Sequence, residues 1–142
     1  MRRTLGGSLL SLGLLLLGPA GCLAPTPAAP LHETTWLAEA IGGEGITPGV
    51  QSTLRVDSDG RASGSAACNR FTGSATITGT EVSFGPLATT RRMCPPDVMD
   101  QEDRYLSALA AARRFVHEDE TLRLRDERDV DVVRFIVTDA PE

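Results

Sequence analysis

Two hydrophobic periods alternate along the chain, and the switches between them mark its elements. Residues 34–41 read as a strand opening on Trp36 and Leu37. Gly42-Gly43 and Pro48-Gly49 punctuate a loop. Over 51–57, Leu54 and Val56 alternate with polar neighbours, the period of a half-buried strand. Asp59-Gly60 is a strong hairpin signal, and 61–66 supplies a weak return strand. Residues 74–78 and 81–84 flank Gly79-Thr80 and predict a second hairpin, and 87–93 predicts a further strand.

The period then lengthens. Pro95-Pro96-Asp97 suits a helix entry, because proline fits the first turn. Val98, Met99, Leu106, Leu109 and Ala110 fall close to one face at helical spacing. Asp97, Asp100, Glu102 and Asp103 crowd the start, and Arg113 and Arg114 stand at the end, an order that complements the helix dipole. The pattern predicts a helix over 96–114. Strands resume at 115–119 and 121–125, where Leu122 and Leu124 alternate with Arg123 and Arg125. After a polar turn at 126–129, residues 130–137 carry the strongest strand pattern in the chain. Hairpin follows hairpin with one helix inserted. The fold class expected is α+β, mostly β: an antiparallel meander forming a small barrel or half-barrel. No internal repeat of 20–50 residues is present.

Upstream the pattern is different. Arg2 and Arg3 precede an uncharged run from Leu5 to Leu17, in which seven of the nine residues from Leu9 are Leu. At 13 residues the run is short for a bilayer. Small residues then lead to Cys22, the layout of a secretory signal peptide. This close resembles the lipobox of bacterial lipoproteins, although Pro19 stands where that motif usually has an aliphatic residue. The resemblance implies that residues 1–21 are removed and that Cys22 is diacylated, giving a membrane anchor. The alternative is ordinary cleavage near Ala20, a spare thiol at Cys22 and a soluble periplasmic or secreted product. Pro25, Pro27 and Pro30 make 22–33 a Pro/Ala-rich tether. Such segments extend by about 3.1 Å per residue, so ten residues reach roughly 30 Å. The domain is expected over 34–138, with a tail at 139–142.

Length and charge narrow the classes. A chain of 142 residues fits one domain, and 41% hydrophobic residues suffice for a core. Net charge is −5, and removal of Arg2 and Arg3 with the leader takes it to −7. That balance leaves no basic surplus for nucleic acid. Anionic headgroups would repel such a domain, so the lipid on Cys22 would be the membrane contact. All 14 basic residues are Arg, which excludes a P-loop or Schiff-base lysine.

Cys68 and Cys94 remain once Cys22 is set aside. An even pair in an exported domain reads first as a disulfide. The competing readings are weaker. Zinc would need four ligands, and only His32, in the tether, and His117 could join the two thiols. A Cys–His nucleophile pair would need His117, which opens the charged run His-Glu-Asp-Glu and reads as a solvated turn. The many carboxylates read as solvating charge. No catalytic set, metal or cofactor is expected.

Longer motifs carry a family resemblance. They are Asp59-Gly-Arg-Ala-Ser-Gly-Ser-Ala-Ala-Cys-Asn-Arg-Phe-Thr-Gly73, Phe84-Gly-Pro-Leu-Ala-Thr-Thr-Arg-Arg-Met-Cys-Pro95, Val98-Met-Asp-Gln-Glu102, Tyr105-Leu-Ser-Ala-Leu109 and Leu122-Arg-Leu. With the opening Trp36-Leu37, the stretch from about Thr34 to Val137 resembles the META (HslJ-like) domain family. The resemblance implies a small antiparallel barrel-like sheet with one helix. It also implies an exported protein, often a lipoprotein, linked to heat or envelope stress, novobiocin resistance or, in parasites, virulence. No enzymatic activity comes with it. The motif positions it marks as structural are Trp36, Gly64, Asn69, Phe71, Gly73, Gly85, Pro86, Leu87, Thr90, Arg91, Pro95, Glu102 and Leu109. Ala67 departs from a usual Gly, which bears on any positive φ there, and Ala75 departs from a frequent aromatic.

Asn69, the only Asn, tolerates left-handed backbone and bonds its own turn, so it reads as a structural corner. Gly64 and Gly73 bracket the motif as bulges or tight bends would. Trp36 reads as core. Arg70, Arg91 and Arg92 are candidates for an anion or partner contact, with pairing to the abundant acids the plainer reading. The expected function is a non-enzymatic envelope lipoprotein module acting in stress tolerance through an unidentified envelope protein. The alternative is a carrier or sensor holding a small hydrophobic ligand in the barrel. A protease inhibitor would need an exposed rigid loop, for which 87–96 is the candidate.

Overall fold

A computed structural model describes residues 30–138. The predicted signal peptide, Cys22, the tether through residue 29 and the tail at 139–142 lie outside the described residues. The strands are β1 (Thr35–Ile41), β2 (Glu44–Gly45), β3 (Thr53–Val56), β4 (Arg61–Ser65), β5 (Arg70–Thr78), β6 (Glu81–Phe84) and β7 (Ala88–Thr89). Helix α1 (Pro96–Ala111) follows, then β8 (Arg114–Glu118), β9 (Thr121–Arg125) and β10 (Asp131–Val137). All pairings are antiparallel. In space the order is β10-β9-β8-β6-β5-β4-β3-β1, and β10 also pairs with β1. The fold is thus a closed eight-stranded barrel. The two-residue strands β2 and β7 pair with β1 and β5 at its margins.

Alternation decides which side chains point inward. Leu54 and Val56 of β3, Leu122 and Leu124 of β9, and Val133 and Phe135 of β10 are all buried. Trp36, the first large side chain of β1, is fully buried. One seam is thin. Strands β6 and β8 share the single register pair Glu81–Arg114, supported by hydrogen bonds from Val82 N–H to Arg113 O (3.0 Å) and from Phe115 N–H to Thr80 O (2.9 Å).

The helix turns a face into the barrel. Tyr105 is fully buried, with Phe71 of β5 at 6.1 Å on one side and Phe135 of β10 at 6.2 Å on the other. Both contacts are edge-on, a favourable aromatic geometry. Strands β5 and β10 are four places apart in the ring of eight, so this one side chain spans the interior. Its hydroxyl donates to Thr53 O at 2.8 Å. Burial pushes the phenol pKa well above its ordinary value, which keeps the proton on the donor.

Several expectations are corrected. The helix ends at Ala111, not at 114, because Ala112 is already extended and Arg113 N–H joins Arg125 O at 2.7 Å. Arg113 still serves the helix end, but from beyond it, donating to Ala110 O (2.8 Å) and Ala112 O (2.7 Å). The buried helical face runs through Gln101, Glu102, Tyr105, Ala108 and Leu109. Val98, Met99 and Leu106 are half-buried, and Ala110 is exposed. Of 87–93 only Ala88–Thr89 is strand, because the Arg92 backbone bonds a side chain instead of a neighbouring strand. The tether's last residues are part of the fold. Leu31 packs on the core, Trp36 Nε1 donates to Leu31 O (3.2 Å), and Glu33 N–H donates to Val56 O (2.9 Å). The Ser58 N–H on the Glu33 carboxylate, with the guanidinium of Arg55 beside it, holds that group below the usual carboxylate range.

Tyr105→Phe is expected to lower the unfolding free energy by about 1–2 kcal/mol, because Thr53 O is left unpaired inside the barrel. Urea titration checks this, and an unchanged midpoint at constant slope would remove the hydroxyl from the fold's support.

Candidate functional site

The motif residues converge at the rim where β4 gives way to β5. Residues Ala66–Asn69 connect the two strands and Ala66 N–H donates to Asn69 O at 2.7 Å, so the connection is a tight corner. Asn69 is 3% exposed and Glu102, from the first half of α1, 5%. Burying a carboxylate is costly unless donors meet it. Here the Oε2 of Glu102 accepts the N–H groups of Cys68 (3.0 Å) and Asn69 (2.7 Å), and its Oε1 accepts Asn69 Nδ2 (2.8 Å). No ion pair to Glu102 exists among the described residues.

Asn69 uses its whole amide. Besides Glu102, Nδ2 donates to Arg92 O at 3.1 Å. Oδ1 accepts Arg92 N–H at 2.6 Å and the Thr90 hydroxyl at 2.9 Å. Two donor hydrogens meet two acceptors, and the carbonyl oxygen meets two donors, so only one amide orientation satisfies the network. Thr90 is held in turn, with its N–H on Arg70 O (3.0 Å) and its Oγ1 accepting Arg70 N–H (3.2 Å). The Cys68–Cys94 disulfide, Cα atoms 5.9 Å apart, closes the same frame covalently. A bridge over this separation contributes about 3–4 kcal/mol by chain entropy.

A second polar contact fixes the helix beside the first. Gln101 is fully buried; its Oε1 accepts Thr47 N–H (2.7 Å) and its Nε2 donates to Ser52 Oγ (3.0 Å), which donates to Ala66 O (2.9 Å). Sequence reasoning passed over Gln101 and Tyr105 as site residues. Their signal is the four-residue spacing from 101 to 105, in register with Leu109.

The predicted positions sort into three groups. Cys68, Asn69, Thr90, Glu102 and Cys94 form the network, with Arg91 exposed above it and Pro95 at the helix N-cap. Gly64, Gly73 and Gly85 sit at close approaches, so for Gly64 and Gly73 the bulge or bend reading is replaced. A Cβ on Gly64 would lie 2.1 Å from Thr53 O, the acceptor of the Tyr105 hydroxyl, and 3.1 Å from Phe71 Cε1. On Gly73 it would lie 2.6 Å from Leu87 Cδ2 and 2.8 Å from Pro86 O, and on Gly85, 2.5 Å from Ser74 Oγ. Trp36, Phe71 and Leu109 are core. Ala75 is buried and points inward, so an aromatic there would compete for the interior. Arg70 takes part in the frame through its backbone.

Two further readings change. His117 is no solvated turn: it lies in β8, half-buried, with Trp36 at 5.2 Å and edge-on. Glu102 is a buried hub, whereas its sequence neighbours Asp100 and Asp103 are exposed. No group of three or more His, Cys, Asp or Glu side chains is placed to hold a metal ion among the described residues.

A sequence profile of the META domain matches residues 29–139. The chain belongs to the META domain family. No curated protein matches the sequence. Among solved structures, this META domain is similar to a protein from Burkholderia xenovorans determined by NMR, at 28% identity and TM-score 0.64, covering 86% of this chain and 97% of that one. A DUF4847 family protein from Bacteroides vulgatus ATCC 8482 superposes at TM-score 0.57 with 15% identity, over 78% of this chain and 96% of that one, a likeness of fold alone.

Two substitutions test the frame. Glu102→Gln is expected to cost about 2–3 kcal/mol, because an amide cannot face three N–H donors without opposing one of them. A loss under half of that in denaturant titration would show the corner to be held chiefly by the disulfide. Ala67 has φ +156°, in the region glycine favours. Ala67→Gly is therefore expected to stabilise the domain by about 1 kcal/mol, and a lower melting temperature would contradict that reading.

Proposed function

We propose that this META domain is the non-enzymatic module of an envelope lipoprotein, anchored through Cys22 and acting in stress tolerance by binding another envelope protein. The observation that carries the reading is the saturation of the motif. The polar atoms of Asn69, the carboxylate of Glu102 and the hydroxyl of Thr90 are spent on internal hydrogen bonds. Groups so committed build a rigid corner and are not poised to move protons or attack a substrate. What the corner offers outward is a surface: Arg91, Arg92 and Met93 are exposed, Met93 at 88%. Binding at a prebuilt surface loses less entropy than ordering a flexible one. The leader pattern and the tether support export and anchoring, and the family resemblance supports a stress role.

The carrier alternative meets a filled interior. Trp36, Tyr105, Phe135, Leu54, Leu122 and Leu124 occupy the space where a ligand would sit. Small barrels are commonly packed in this way.

In its native cells the full chain is expected in the membrane fraction with an acyl mass on Cys22, and Cys22→Ser is expected in the soluble exported fraction. Survival under heat or novobiocin should follow the anchored form. Membrane association that survives Cys22→Ser would overturn the anchor. Saturable one-to-one binding of a fatty-acid probe would replace the protein-binding reading with the carrier.

A further inference from the structure

The exposed segment over the corner has unusual support. Arg92 is pinned through both of its peptide atoms, its N–H on Asn69 Oδ1 (2.6 Å) and its carbonyl under Asn69 Nδ2 (3.1 Å). Thr90 is pinned through its N–H and its hydroxyl. Cys94 is held covalently to Cys68. Between these fixed points stands Arg91, exposed, and among the described residues neither its peptide groups nor its guanidinium has a partner. The segment is held from below by a side-chain amide that is itself locked to Glu102.

A serine protease that cuts after arginine places that side chain in a pocket ended by a carboxylate and attacks the arginine's own carbonyl carbon. A flexible substrate pays to be ordered, and its two new ends separate after the cut. A loop fixed on both flanks avoids the first cost and prevents the second. We infer that residues 89–94 are an inhibitory loop for trypsin-like serine proteases, with Arg91 as the specificity residue and the Arg91–Arg92 peptide bond presented to the protease. Arg92 cannot take that place, because its carbonyl is turned down onto Asn69 and cannot enter an oxyanion hole.

The chemistry closes on itself. The protease serine Oγ bonds to the Arg91 carbonyl carbon, the Arg91–Arg92 C–N bond breaks, and the serine proton passes through the protease histidine to the Arg92 amine. Asn69 and the disulfide keep that amine over the acyl-enzyme. The reverse attack re-forms the peptide bond, returns the proton and frees the serine without water. Only when water attacks the acyl-enzyme first, its hydroxyl bonding to the Arg91 carbonyl carbon and its proton returning to the serine, does a cut chain with an Arg91 carboxylate and an Arg92 amine leave. This inference deepens the protein-binding reading by naming the partner's class, and it fails separately from the anchor.

The test uses the full chain with its disulfide intact, against trypsin and a chromogenic arginine substrate. Competitive inhibition is expected, with intact-mass analysis showing one slow cut after Arg91 whose products stay linked through Cys68–Cys94. Arg91→Asp should weaken inhibition by about 100-fold or more, the usual loss for a central anchor, while Arg92→Ala stays within about tenfold. Arg91 has no internal partner, so an unchanged melting temperature in Arg91→Asp separates loss of recognition from loss of fold. Undiminished trypsin activity at a large excess of the protein would overturn the inference. So would rapid cleavage after Arg91 without inhibition, or inhibition that Arg91→Asp leaves intact. Membrane association dependent on Cys22 would stand in each of those cases.

Discussion

The fold turns on one buried carboxylate with no cation beside it. Glu102 is tolerable inside because three N–H donors meet it, all from Cys68 and Asn69. Those donors belong to a corner between β4 and β5, and the acceptor belongs to α1, so the contact sets where the helix lies on the barrel. Asn69 passes the constraint on through its amide to Thr90 and Arg92. One helix residue thereby positions two separate loops. The disulfide joins the same loops, but hydrogen bonds supply the orientation that a single covalent link leaves free.

Tyr105 converts that placement into packing. Three residues on from Glu102, it faces inward and reaches both walls of the barrel. Its hydroxyl finds Thr53 O, which faces the space left by the missing side chain of Gly64. The two features require each other. A larger residue at 64 would collide with the carbonyl, and without that carbonyl the phenol would be buried unpaired. Gly73 and Gly85 do similar work where the backbone near Leu87 and the Ser74 side chain press close. These glycines are read correctly as special positions in the sequence, but their reason is proximity across strands, which no local propensity can reveal.

Much of the architecture is legible from pattern. The hairpins at Asp59-Gly60 and Gly79-Thr80, the alternation of Leu122 and Leu124, and the proline entry to the helix follow from local chemistry. The Cys68–Cys94 pairing follows from compartment and parity. What pattern misses is polar burial. A search for apolar periodicity selects Val98, Met99 and Ala110, and so rotates the inner face of α1 away from Gln101 and Glu102, whose partners lie about 33–54 residues distant in the chain. The strand expected over 87–93 shrinks to Ala88–Thr89 for the same reason, because Arg92 bonds a side chain rather than a strand. His117 looks solvated among acids, yet strand alternation turns its ring onto Trp36. The expectations for Cys22 and the leader rest on sequence, since those residues lie outside the described ones.

The chain enters the barrel at one rim and displays its exposed loop at the other. Glu33 is bonded to Val56 and Ser58, beside the turn where β4 begins. Strand β4 then runs five residues, roughly 16 Å, to the corner that carries Asn69 and supports Arg91. The strand therefore acts as a spacer of fixed direction. The exposed arginines stand one strand length from the point where the chain enters the barrel, facing outward at the far rim.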